Sequence, residues 1–202
     1  MKKSIILANQ RTGSGYMRAW LDNISDVEFY TELFLAKNYE YSSFNSYIRD
    51  RKKRELAFKF FNLKKLPRVS NNMITNNIIN DYLDCVFNEK RFPKNSFKNE
   101  YHPRNTDDLT LIGFKVMYNQ IKNNKPLINY IRKNNIKVIH LYRSNILKLI
   151  VSKELKKITN IAHSYTNDEK INDQQVYLNI STLLKKMRSF DYQTHKFDKF
   201  FE

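Results

Sequence analysis

A chain of 202 residues with 41% hydrophobic content is long enough for one domain with a true core, too short for a second full one and too apolar to stay disordered. Its formal net charge of +16, from 36 Lys and Arg against 20 Asp and Glu, suits an anionic partner such as nucleic acid, a membrane surface or a phosphate-bearing ligand, although the excess of Lys, Asn and Ile that A+T-rich coding imposes explains part of it. The single Cys85 excludes an internal disulfide framework and has no His or Cys at zinc-ligand spacing, so no metal site is readable.

The start, Met1-Lys2-Lys3-Ser4, looks like the basic head of an export signal, but the apolar run behind it, Ile5 to Ala8, is too short for one. No stretch is long enough to span a bilayer, and a cytoplasmic protein without a transmembrane segment is expected. Ile5 to Ala8 reads instead as a first strand, running into Asn9-Gln10-Arg11-Thr12-Gly13-Ser14-Gly15-Tyr16-Met17. Two of the chain's three glycines fall in this turn, just before a helix predicted over Tyr16 to Asn23. Unpaired N–H groups and the positive dipole end of a helix make such a turn a candidate for binding phosphate or sulfate.

A short strand follows at Val27-Glu28-Phe29-Tyr30, before Thr31-Glu32-Leu33-Phe34, so the pattern begins as β-α-β. From about residue 36 to 108 the chain turns polar, aromatic and basic, broken by Pro67, Pro93 and Pro103, and is expected to form a helical insertion with long loops. Within it Ile74, Ile78, Ile79, Tyr82, Leu83 and Val86 keep helical spacing and suit a core face. The tetrad Arg51-Lys52-Lys53-Arg54 lacks the alternating aromatics of a strand-binding groove and reads as a solvated face.

Leu109 to Val116 is the next predicted strand, and a helix carrying Ile121, Leu127, Ile128 and Ile131 follows, with Pro126 near a first turn or at a kink. Lys137-Val138-Ile139-His140-Leu141-Tyr142 reads as a near-continuous apolar strand of the kind buried in parallel sheets, with His140 as a core histidine. Arg143-Ser144-Asn145 opens another helix, whose apolar stripe is Ile146, Leu147, Ile150, Val151 and Leu155. A last helix is expected from about Asp173 to Arg188, before an aromatic tail from Phe197 to Glu202. His163 and His195 fall in polar stretches, while Trp20 and the many Phe and Tyr residues suit core and cleft lining.

Strands alternating with helices predict a three-layer α/β/α domain over 1–202 with a central parallel sheet, whose ligands sit beyond the strand carboxyl ends. The turns at Arg11–Gly15 and Arg143–Ser152 both follow strands and both open helices, which suits a ligand with two separated phosphates. A Walker A loop is excluded because no Gly-Lys-Ser/Thr follows Gly13-Ser14-Gly15. A dinucleotide-binding fingerprint fails for want of its third glycine and ribose-binding acid.

Arg11-Thr12-Gly13-Ser14-Gly15-Tyr16, together with the strand Val138–Tyr142, Arg143 and Ser152, resembles the sulfotransferases that use 3′-phosphoadenosine 5′-phosphosulfate. Gly15 replaces a residue that is usually a hydroxyl-bearing one. The Arg143–Ser152 spacing is one residue wider than in the cytosolic branch and resembles the bacterial carbohydrate, trehalose sulfotransferase-like branch. The resemblance implies a P-loop NTPase-like sulfotransferase fold and an enzyme that moves a sulfuryl group from that nucleotide to a hydroxyl, on a carbohydrate for this branch, without a metal. It implies that Arg11, Thr12, Gly13, Ser14, Gly15 and Tyr16 hold the 5′-phosphosulfate, with Arg11 also stabilising the departing nucleotide, and that Arg143 and Ser152 hold the 3′-phosphate.

Transfer of this kind depends on alignment and charge stabilisation, plus a base for the acceptor hydroxyl. Met117 stands where the cytosolic branch has its histidine, so the base implied by the other branch is Glu32, in Thr31-Glu32-Leu33-Phe34, with His102 as the second candidate. Lys115, in Gly113-Phe114-Lys115, is the implied orienting cation. The family continues past the helix near 173–188 into a further strand and a closing loop, so the chain is expected to be a fragment, a short variant or a degenerate member with weakened binding. The rival expectation from charge alone is a non-enzymatic nucleic-acid or polyanion binder.

Overall fold

A computed structural model describes residues 1–35, 43–48, 76–87, 108–122, 124–159 and 175–201. It shows an α/β chain with a four-stranded parallel sheet in the order β2-β3-β1-β4. The strands are β1 (Lys2–Ala8), β2 (Val27–Glu32), β3 (Leu111–Met117) and β4 (Lys137–Leu141). The helices are α1 (Ser14–Asp22), a short α2 (44–48), α3 (Asn76–Phe87), α4 (Tyr118–Ile121), α5 (Lys125–Lys133), α6 (Ile146–Thr159) and α7 (Ile180–Phe201). Two compact units make up the chain: 1–8 with 15–139, and 9–14 with 140–202.

In the first unit the central strands are as apolar as a doubly covered parallel sheet requires. Ile5, Ile6, Leu7 and Ala8 of β1 and Ile112, Phe114 and Val116 of β3 are fully buried. Gly113 is where the packing is tightest: a Cβ there would run into the Phe29 ring from β2 and the Ser4 carbonyl from β1, the two residues with which it is in register. α1 is tied to β2 at its end, where Asp22 Oδ1 accepts from Phe29 N (3.1 Å) and Arg18 Nη1 donates to Phe29 O (3.2 Å).

The face predicted for the helix near Ile78 is the buried face of α3: Ile79, Tyr82, Leu83 and Val86 are all enclosed, and Ile78 is half-buried. Tyr82 meets Phe34, Phe44 and Tyr47, and Phe34 meets Phe114, so the aromatic residues of β3, α2 and α3 share one cluster. α3 also packs on α5, where Tyr130 donates to Asp84 Oδ1 (2.7 Å) and stacks on Phe87. Ile74, Arg51–Arg54, Pro67, Pro93, Pro103, His102 and His163 lie outside the described residues.

Several expectations change. The single helix predicted after β3 is two, α4 and α5, because Asn124 starts a new one: its side chain accepts from Leu127 N (3.1 Å) and Pro126 occupies the first turn, where a missing N–H costs nothing. β4 is half-buried rather than enclosed, since it lies at the edge of the sheet. Trp20 is 58% exposed on α1 and lines no core. On α6 the residues enclosed are Leu149 and Ile150, whereas Leu147 is exposed: the helix begins at Ile146, capped by Asn145 Oδ1 on Lys148 N (2.9 Å), and that start turns Leu147 outward.

In the second unit α6 packs on α7. α7 starts later and runs further than predicted, absorbing the aromatic tail as far as Phe201. Asn179 is its starting signal, accepting from Thr182 N (3.3 Å) and Ser181 Oγ (2.7 Å). No Gly or Pro then interrupts the chain before Phe201.

Candidate functional site

The loop that leaves β1 belongs to the second unit, with Arg143 and Ser152. Its backbone is unusual: Arg11 has φ 69° and Gly13 has φ 89°. Glycine takes that conformation without strain, but an arginine does not, and the loop around it is over-determined. Thr12 Oγ1 donates to Asn9 O (2.9 Å), and Gln10 N donates to Asn9 Oδ1 (2.8 Å). Arg11 Nε donates to Ser152 Oγ (2.8 Å) from α6, and Arg143 Nη1 reaches the Arg11 carbonyl at 3.4 Å.

Arg11, Thr12, Gly13, Ser14, Arg143 and Ser152 are thus brought together within one unit. The guanidinium expected at one phosphate is hydrogen-bonded to the serine expected at the other. Ser14 is buried at the first position of α1, and Arg143 is exposed. Two guanidinium groups, three hydroxyl side chains and left-handed backbone at Arg11 and Gly13 make a donor set suited to a polyanion. Gly15 and Tyr16 belong to the first unit on α1, where Tyr16 is 78% exposed.

Glu32 and Lys115 are brought together in the first unit. Glu32 Oε1 lies 3.0 Å from Lys115 Nζ, with the side chains 21% and 11% exposed. A bulge creates the pair. Tyr30 is in register with Phe114 and Glu32 with Lys115, so the register shifts by one residue at Thr31. Without that extra residue Thr31 would oppose Lys115, and Glu32 would face the other side of the sheet.

Gln120, which sequence reasoning passed over, completes the group: its Nε2 donates to Glu32 Oε2 (2.9 Å) while its Oε1 accepts from Met117 N (3.0 Å). The signal for it was present, since a Gln three residues into a helix commonly reaches back to the first free N–H. Met117, in place of a histidine, is almost fully buried at the end of β3.

The two described histidines each face an aspartate. His140 Nδ1 is 2.5 Å from Asp198 Oδ1 of α7, consistent with a half-buried structural histidine. His195 is exposed on α7, 3.4 Å from Asp191. Among the described residues no group of three or more His, Cys, Asp or Glu could hold a metal ion, and no helix is long and apolar enough to cross a membrane. Compared with models of known protein families and with curated protein sequences, the chain matches none.

Proposed function

We propose that the chain is a sulfotransferase of the P-loop-related α/β type, using 3′-phosphoadenosine 5′-phosphosulfate and acting on a hydroxyl, most simply that of a carbohydrate. The observation that carries the proposal is the Arg11 Nε to Ser152 Oγ hydrogen bond, with Arg143 on the Arg11 carbonyl. It joins, in one unit, Arg11 of the expected 5′ side with Arg143 and Ser152 of the expected 3′ side.

When bound, the nucleotide supplies the sulfuryl group. Arg11 and the Thr12–Ser14 backbone hold the 5′ side and neutralise charge on the leaving oxygen, while Arg143 and Ser152 hold the 3′-phosphate. Glu32, its two oxygens oriented by Lys115 and Gln120, is the base that accepts the acceptor's hydroxyl proton.

Thermal unfolding with adenosine 3′,5′-bisphosphate tests this. At ligand about 100 times its Kd the chain gains roughly 2.7 kcal/mol and a Tm several degrees higher. Arg143→Ala abolishes the gain, and Glu32→Gln keeps it while losing sulfuryl transfer. No shift at millimolar bisphosphate overturns the proposal.

A further inference from the structure

The second unit holds a cation that no motif in the sequence marks. Lys153 follows Ser152 on α6 and is half-buried. Its Nζ lies 3.3 Å from Asn9 Oδ1 in the loop after β1 and 4.3 Å from the centroid of the Phe190 ring on α7. Among the described residues no carboxylate pairs with it. The acid next along the helix, Glu154, is engaged elsewhere, accepting from Lys157 (2.7 Å) and Lys186 (2.9 Å).

An amide oxygen and a ring face are weak company for a desolvated ammonium, and the neighbouring charge that acts on it, Lys157, has the same sign. Burial first, then Lys157, pulls its pKa below the ordinary lysine value. A side chain as long as lysine can usually leave such a position for water. Here the ammonium lies over the Phe190 ring and is turned to Asn9, the residue whose side chain also takes Gln10 N and whose carbonyl takes Thr12 Oγ1.

We infer that Lys153 is an anion ligand, a third cation beside Arg11 and Arg143, held toward the Asn9–Gly13 loop by Asn9 and Phe190 so that a phosphate-type group at the loop supplies the counter-charge that no described carboxylate gives it. The inference shares the anion-binding loop with the sulfotransferase proposal but does not rest on sulfuryl transfer or on a nucleotide.

The probe that separates the two is inorganic pyrophosphate, titrated calorimetrically into the full chain and compared with adenosine 3′,5′-bisphosphate. Lys153→Met keeps an unbranched apolar side chain and removes the charge that lies over Phe190; Lys153→Arg keeps the charge. The expected result is about tenfold weaker pyrophosphate binding for Lys153→Met, the worth of one charge-assisted hydrogen bond, with binding within about threefold of the parent for Lys153→Arg. Pyrophosphate binding by the parent is accompanied by proton uptake at alkaline pH, because the bound anion favours the charged ammonium; Lys153→Met lacks that uptake.

Lys153→Met has a Tm without ligand no lower than the parent's, which certifies a folded control. Equal pyrophosphate affinity and equal proton uptake in the parent and Lys153→Met overturn the inference. Pyrophosphate binding that depends on Lys153, with no binding of the bisphosphate, supports it and overturns the nucleotide proposal instead. No pyrophosphate binding by the parent overturns the inference, and the nucleotide proposal then stands or falls on the bisphosphate titration alone.

Discussion

At the scale of single residues, Gly113 decides how closely three strands meet. Its missing Cβ is the space into which the Phe29 ring lies, under the Ser4 carbonyl, so Gly113→Ala must push a buried ring and a backbone oxygen apart. The expected loss is about 3 kcal/mol, read from the urea midpoint at unchanged slope; a loss under about 1 kcal/mol would mean that the ring has room to turn.

Glu32 and Lys115 drew notice in the sequence only through a resemblance, and nothing in their spacing showed that they would meet. A regular two-residue alternation puts Glu32 on the wrong face. The register shift between Tyr30 and Glu32 corrects it, and a bulge leaves no mark in composition. Lys153 was equally hidden: a lysine in a lysine-rich helix looks solvated until the fold surrounds it with Asn9 and Phe190.

At the scale of elements, strands were easier to recognise than helix limits. β1 and β3 were legible because continuous Ile, Leu and Val in a short run can only be buried there, and the α3 face followed from its spacing. The limits of α5, α6 and α7 depended on single asparagines, Asn124, Asn145 and Asn179, each closing a first turn through its side chain. Many other asparagines in so Asn-rich a chain look the same in sequence.

The α6–α7 pair also carries a pH prediction. Glu154 bridges Lys157 of its own helix and Lys186 of α7, and those hydrogen bonds, Lys157's first, hold its pKa below the ordinary carboxylate value of 4.5. Its contribution is therefore complete above about pH 4.5 and fades as the pH falls through the lower native value. Glu154→Gln should lower stability at pH 7 by about 0.5 kcal/mol, the scale of an exposed pair, and parent and variant should converge in acid. A gap that persists below pH 3 would point to packing rather than charge.

At the scale of the whole molecule the net charge of +16 is a standing repulsion that salt should relieve. Tm is expected to rise between about 10 mM and 0.3 M sodium chloride, as the screening length shrinks from roughly 30 Å to under 10 Å; a fall would mean that ion pairs outweigh the repulsion. The same charge makes nonspecific adhesion to DNA an expected background. That background should weaken linearly in log salt and be indifferent to Arg143→Ala, unlike bisphosphate binding.

The second unit is assembled from two separate stretches, Asn9–Ser14 and His140–Glu202, so the chain passes between units at three peptide bonds: Ala8–Asn9, Ser14–Gly15 and Ile139–His140. Dissection by a single cut therefore cannot yield it whole. A fragment beginning at His140 keeps Arg143, Ser152 and Lys153 but leaves Arg11 behind, whereas a nick within the loop would sever the short stretch that Arg11 shares with Asn9. Heritable change is constrained in the same way: a recombination joint anywhere between Ser14 and Ile139 would draw the two stretches from different parents, and the Arg11–Ser152 match would have to be inherited from both.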